Sequence, residues 1–283
     1  MWKDEGWEEY TLLDATGGER LERWGRYTLI RPDPQVIWQE PRRHAGWRSA
    51  DAVYTRSASG GGSWSRHSLP ASWNIAWNNF TFKVKPTGFK HTGLFPEQAA
   101  NWTALSSLIR SADRPLTVLN LFAYTGAATA VCAKAGAKVT HVDAAKGMVA
   151  WARENAALNG AEGRWIVDDC SAFVEREARR GNRYDGILMD PPSYGRAPGG
   201  KAWKLEDDLY PFLKKAAELL SGNPRFFFLN AYTAGLAPSV LRYLLEAVLV
   251  PRFGGRVEAE ELGLRVAATG LMLPSGAVGR WMR

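Results

Sequence analysis

An apolar run, Ile187-Leu188-Met189, stops at an acid, Asp190, followed by Pro191, Pro192, Ser193 and Tyr194. That order suits one chemistry. The exocyclic amine of a nucleobase is a poor nucleophile because its lone pair is delocalised into the ring. A carboxylate and a backbone carbonyl that accept its two N–H groups favour a pyramidal nitrogen and free the pair for in-line attack. Asp190 offers the carboxylate. Pro191 and Pro192 fix the backbone after it and, lacking N–H groups, leave carbonyls expected to meet no competing donor. Tyr194 can stack on the base, a contact worth ~1–3 kcal/mol. Asp190, Pro191, Pro192 and Tyr194 are therefore the candidate catalytic clamp. A Pro-Pro turn capped by Asp is the plainer reading of the same letters.

Three upstream positions indicate the electrophile. The stretch "NLFAYTGAATA" has a single glycine, Gly126, and no G-x-G-x-x-G or GK[ST] pattern, which argues against a dinucleotide and against a P-loop. A nucleoside ligand without a pyrophosphate needs only one close backbone approach. Asp143 lies seventeen positions after Gly126, where a carboxylate can accept both hydroxyls of a ribose. Asp169 is placed to accept from an adenine amino group. Either acid alone reads equally well as a helix N-cap. In this order, and followed by "DPPSY", the three describe a site for S-adenosyl-L-methionine.

Such residues must stand at the ends of strands. From Leu116 the chain alternates: "LTVLNLF", "KVTHVD", "RWIVDD", "YDGILMD" and "RFFFLNAY" read as strands, with helical segments between them and glycine stops at Gly136 and Gly160. Strand alternating with helix implies right-handed crossovers and a doubly wound α/β sheet. Ligands of such sheets sit beyond the carboxyl ends of the strands. The tail "EELGLRVAATGLMLPSGAVGRWM" alternates like closing antiparallel strands. Before residue 90 the pattern is short strands and turns, "RYTLIRPDP" and "NNFTFKVKPTGF" among them, with "SASGGGSWS" as a flexible loop. The expected organisation is a small β-rich domain over 1–90 and a cofactor-binding catalytic domain over 91–283.

The 283 residues can bury one substantial core and a smaller second one. Their net charge of +7 is concentrated. Between Arg20 and Lys85 stand eleven Lys/Arg against four Asp/Glu, so the remainder of the chain is balanced. The same stretch holds Trp24, Trp38, Trp47, Trp64, Trp73 and Trp77. Cations interleaved with flat aromatics suit phosphate contact and base stacking, which points to RNA. Equally, the tryptophans can be the core of a small sheet and the arginines its solvated surface. No apolar run reaches the ~18 residues of a membrane span, and the acidic start is unlike a signal peptide. Cys132 and Cys170 lie far apart with no Cys/His cluster, so neither a metal site nor a disulfide framework is indicated. The cytoplasm is the expected compartment.

The blocks "FKHTGLFPEQAANW", "VLNLFAYTGAATA", "VDAAKGMVAWARENAALNG", "DDCSAF", "DPPSYGR" and "FFLNAYTAGL" resemble the S-adenosylmethionine-dependent methyltransferases related to large-subunit ribosomal RNA methyltransferases. The resemblance covers most of the chain and implies a Rossmann-like class I fold. It implies cofactor contacts from Phe95 and Gln98, from Asn120, Phe122, Tyr124 and Gly126, and from Asp143 and Asp169, with Cys170 beside the adenine. It also implies ribosomal RNA as substrate. The front end departs from relatives that carry a separate RNA-binding module there.

Methylation at a pyrimidine C5 normally needs a thiolate, which related enzymes carry in the loop after the fifth strand. Here that loop reads "LNAYTAG", so nitrogen is the preferred acceptor. A planar protein amide or a small molecule fits the clamp as well, and a non-catalytic RNA-binding factor is the remaining alternative. His91 in "FKHTG" is read as structural, and "GRAPGGKAWKLEDDL" as a mobile lid or plain surface loop carrying Arg196, Lys201 and Lys204.

Overall fold

The computed structural model describes residues 1–3, 6–57, 61–66, 68–196, 202–232 and 235–283, the side chains of Arg66 and Arg196 excepted. The tip of the glycine loop, part of "NAYTAG" and residues 197–201 of the expected lid lie outside the described residues. Two compact units are present: Met1–Ala100 with Leu262–Ser275, and Asn101–Glu261 with Gly276–Arg283. The division falls ten residues later than the expected 90, and part of the tail joins the first unit. The reason is backbone pairing: Ala267 and Ala268 donate N–H groups to the Leu12 and Leu13 carbonyls at 2.8 and 3.0 Å.

The first unit contains β1 (Trp2–Lys3), β2 (Tyr10–Thr16), β3 (Glu19–Trp24), β4 (Tyr27–Pro32), β5 (Ala52–Arg56), β6 (Gly62–Arg66), β7 (Trp73–Trp77) and β8 (Phe80–Val84). Strands β2 to β6 form one sheet in sequence order, and β7 and β8 form a hairpin. The two-residue turn Gly17-Gly18, with φ of 62° and 78°, needs the left-handed conformation that glycine adopts freely. Trp24, Trp47 and Trp77 are buried. The indole N–H groups of Trp38, Trp64 and Trp73 donate to the Ala15, Thr87 and Trp24 carbonyls. Most of the tryptophans are framework.

Part of the positive charge is also internal. Arg31 grips Glu22 through two bonds at 2.5 and 2.7 Å, and Tyr10 donates to the same carboxylate at 2.8 Å. Arg20 lies 3.4 Å from Glu22 and 3.3 Å from Asp33. Burial alone would raise the Glu22 carboxyl, but Arg20 and Arg31 hold it down at about 2. Two of the eleven cations are thus spent on structure.

The second unit alternates as the sequence implies: α1 (Ala99–Arg110), β9 (Thr117–Leu121), α2 (Ala127–Lys134), β10 (Lys138–Asp143), α3 (Lys146–Leu158), β11 (Arg164–Val167), α4 (Cys170–Arg179) and β12 (Gly186–Met189). A short hairpin follows, β13 (Tyr194–Arg196) and β14 (Ala202–Lys204), then α5 (Leu205–Ala217), β15 (Phe226–Ala231), α6 (Pro238–Phe253), β16 (Arg256–Arg265) and β17 (Met272–Met282). The order β17-β15-β12-β9-β10-β11 is parallel except for β17, which runs antiparallel to β15. The chain builds outward from β9 and then returns to its other side, so the switch point lies between β9 and β12. One face of the sheet buries Leu119, Leu121, Ile187, Met189, Phe227 and Leu229 against α4, α5 and α6. The other buries Val118, Leu188, Phe226 and Phe228 with Leu105, Ile109 and Cys132. Among the described residues no helix is long and apolar enough to cross a membrane.

Candidate active site

Strand register sets the site. Val142 pairs with Leu121, Leu121 with Met189, and Met189 with Leu229. The next residue on each strand, Asp143, Phe122, Asp190 and Asn230, therefore falls in one row at the carboxyl edge. With strands ~4.8 Å apart, Asp143 and Asp190 stand about 10 Å from each other on either side of Phe122.

The loop after β9 is held in an uncommon conformation. Phe122, Tyr124 and Gly126 have φ of 55°, 52° and 80°. For non-glycine residues this costs roughly 1–3 kcal/mol each and persists only where neighbours impose it. Those neighbours are visible. Phe122 N–H donates to Cys170 Sγ at 3.3 Å, Ala123 N–H to Val142 O at 3.0 Å and Tyr124 N–H to Asp143 Oδ2 at 2.9 Å. Gly126 precedes α2, and a Cβ there would lie 2.7 Å from the Ala152 Cβ. Its first requirement is the close approach of α2 and α3.

Asp143 holds the ends of two segments, since Ala145 N–H donates to its Oδ1 at 2.9 Å. Burial raises its carboxyl above the ordinary value, partly offset by the Ala145 and Tyr124 N–H groups. Asp169 is the N-cap of α4, with Oδ1 accepting Ala172 N–H at 2.9 Å. Cys170 opens that helix, buried, and burial drives its thiol well above the usual range. The Cys132 thiol is likewise pushed up to about 12. Asn120 is turned inward, donating to Thr129 Oγ1, which also meets His141 Nδ1, both at 3.0 Å. Phe95 and Gln98 lie in the first unit, at the start of the Pro96–Gln98 turn and buried at its end.

Asp190 is half-buried, Pro191 buried, and Tyr194 exposed to 55%. One expectation is corrected. The Pro192 carbonyl does meet a donor: Trp203 Nε1 binds it at 2.7 Å. Trp203 comes back to the clamp because β14 pairs with β13, and its ring packs against Phe122 and Phe212, with each pair of centroids 5.6 Å apart.

The family profile for S-adenosylmethionine-dependent methyltransferases matches residues 52–241. A structure described as the S-adenosylmethionine-dependent methyltransferase of Agrobacterium tumefaciens is 37% identical, covering 99% of this chain and 92% of that one, with a TM-score of 0.92. The chain belongs to this methyltransferase family. Ribosomal RNA large subunit methyltransferase K/L of Pseudoalteromonas atlantica is 34% identical over 157 residues, 54% of this chain and 21% of that protein. Its namesake from Shewanella frigidimarina is 34% identical over 154 residues, 53% and 21%. The chain spans about a fifth of the length of these curated relatives.

The donor set of this methyltransferase fits its cofactor, S-adenosylmethionine. Each Asp143 oxygen uses one acceptor position on a backbone N–H and has a second, the geometry a ribose hydroxyl would need. A cleft of about 770 Å³ lined by Thr117, Lys138, Arg164 and Tyr184 lies instead at the amino ends of the strands and holds none of the candidate residues. Sequence reasoning missed Trp203, hidden in the expected lid with only its aromatic character as a signal. It also missed Asn230, whose Oδ1 accepts Asn101 Nδ2 at 2.9 Å while Arg280 Nε donates to Asn101 Oδ1 at 3.0 Å.

Proposed function

We propose that this methyltransferase transfers a methyl group to a nucleobase nitrogen of RNA, with ribosomal RNA as the substrate. The observation that carries the reading is the row at the carboxyl edge, with Asp190 two strands from Asp143. The curated relatives named as ribosomal RNA methyltransferases supply the substrate class. Such work belongs in the cytoplasm.

When bound, the cofactor supplies an electrophilic methyl on a sulfonium. Asp143 orients it by accepting its ribose hydroxyls. Asp169 offers an acceptor to the adenine amino group, and the Phe122–Gly126 loop lines the approach. The resemblance assigns Phe95, Gln98, Asn120 and Cys170 to the same ligand. Asp190 accepts one N–H of the target amine. The second acceptor is a backbone carbonyl of the Pro191–Pro192 turn, where Trp203 already holds that of Pro192 in place. Tyr194, exposed beside the clamp, stacks on the base. The product ammonium is acidic enough to lose its proton to water. C5 chemistry is disfavoured because both thiols are buried and protonated at neutral pH.

The test is incubation with labelled cofactor and unmodified ribosomal RNA, followed by digestion and identification of the labelled nucleoside. An N-methylated base is expected. Label in protein or small molecules but never in RNA would refute the reading.

A further inference from the structure

The loop between Lys85 and Thr92 in the first unit is fastened along its whole backbone. Trp64 Nε1 donates to the Thr87 carbonyl at 3.0 Å and the Phe89 carbonyl at 3.2 Å, and Tyr54 OH to that of Gly88 at 3.4 Å. Arg31 Nη1 donates to the Lys90 carbonyl at 2.9 Å. Thr87 N–H and Oγ1 meet the His91 carbonyl at 3.3 and 2.9 Å. Five consecutive carbonyls, Thr87 to His91, are thus engaged. Tyr54 and Trp64 brace one another edge to face, with ring centroids 5.3 Å apart.

From this rigid loop the Phe89 ring projects, 64% exposed. A slack loop would fold the ring onto apolar surface; one tied at five carbonyls holds it out. Single exposed hydrophobes are common and by themselves mean little. Here a cation stands on a neighbouring strand. Arg56 is exposed one pleat beyond Tyr54 on β5, level with Gly62. Lys90, next in the chain, turns its ammonium inward, with Nζ 3.3 Å from the Pro32 carbonyl, and adds to the positive field from within. Burial, then Arg20, with Arg31 and Arg56 adding to it against Asp33, lowers its ammonium to about 8, so it stays charged at neutral pH. An exposed aromatic face with positive charge nearby in the fold meets what an unpaired nucleotide presents, a π surface beside a phosphate.

We infer that Phe89, with Arg56 exposed on neighbouring β5, is a stacking platform for an unpaired base of the RNA substrate. The inference rests on the RNA reading above. A single ring offers too little area for a protein partner, whose interface needs about 800 Å² per side. Stacking tolerates any base, so the platform contributes affinity and placement, not sequence choice.

Anisotropy titration of the full chain with a fluorescent single-stranded oligoribonucleotide tests this. Phe89→Ala should weaken binding about tenfold or more, and Phe89→Trp should restore it. Arg56→Gln should weaken binding and flatten its salt dependence by roughly one released counterion. Unchanged melting temperatures in all variants will show that the fold survives. Wild-type binding that persists undiminished in Phe89→Ala overturns the platform alone. No wild-type binding even at low salt overturns the RNA reading and the platform with it.

Discussion

Asp143 and Asp190 share a row, and the proposed function gives them different ligands, so substitution should separate them. Asp143→Ala removes a charged acceptor whose hydrogen bonds are worth about 1.5–3 kcal/mol each, so calorimetry should show cofactor affinity falling at least tenfold. Asp190→Ala should leave that affinity within about twofold while slowing transfer by roughly a hundredfold or more, the scale expected when a hydrogen-bonding group aimed at the reacting atom is lost. Retained turnover in Asp190→Ala would remove the clamp. Because burial raises the Asp143 carboxyl, its charged form is lost at a higher pH than for an ordinary aspartate. At this scale the sequence was informative where the signal is local: an acid directly after a strand, or a glycine before a helix. It could not say that Asn120 Nδ2 donates to Thr129, or that an indole thirteen positions past Asp190 reaches the Pro192 carbonyl. Those partners are chosen by tertiary contact.

Among elements, the β13–β14 hairpin has the most to do with the site. The Trp203 N–H meets the Pro192 carbonyl and its ring rests on Phe122, which on the proposed function makes it a positioning residue. Trp203→Phe keeps the ring contact and deletes the donor. One neutral hydrogen bond is worth ~1 kcal/mol, so kcat should fall about fivefold with the KM for cofactor nearly constant. An equal rise in KM instead would mean that the residue merely supports the cofactor loop. The alternation of strands and helices was legible because periods of 2 and 3.6 are written in the chain itself. The hairpin was not, since three-residue strands leave too short a pattern. Nor was the need for Gly186, where a Cβ would come 2.2 Å from the ring of Phe226, a buried residue paired in register on the next strand.

For the molecule as a whole, acid sensitivity is set far from the clamp, by carboxylates buried among donors. Burial would raise Glu177, but hydrogen bonds from Tyr184, Asn182, Arg164 and Arg180 hold it at about 2. Asp185 is held lower still: burial is outweighed by Arg114, Thr117 and Ser221. Both are depressed in the native state, so the unfolded chain binds more protons at low pH. Their stabilisation is complete above about pH 4.5 and drains away as pH falls toward 2. Urea midpoints should drop steeply between roughly pH 5 and 3, and Glu177→Gln should blunt that slope; an unaltered slope would show that Glu177 does not govern it. The split of charge between a solvated surface and the buried Glu22–Arg31 pair was beyond the reach of counting, because composition does not record which cations have partners. The discontinuous first unit also carries a consequence for translation. Val266 pairs with Leu12, and Ala267 and Ala268 bond beside it. A nascent chain cannot close that edge until the ribosome has delivered the stretch from Leu12 to Ala268, so a strand made before the second unit is among the last to be finished.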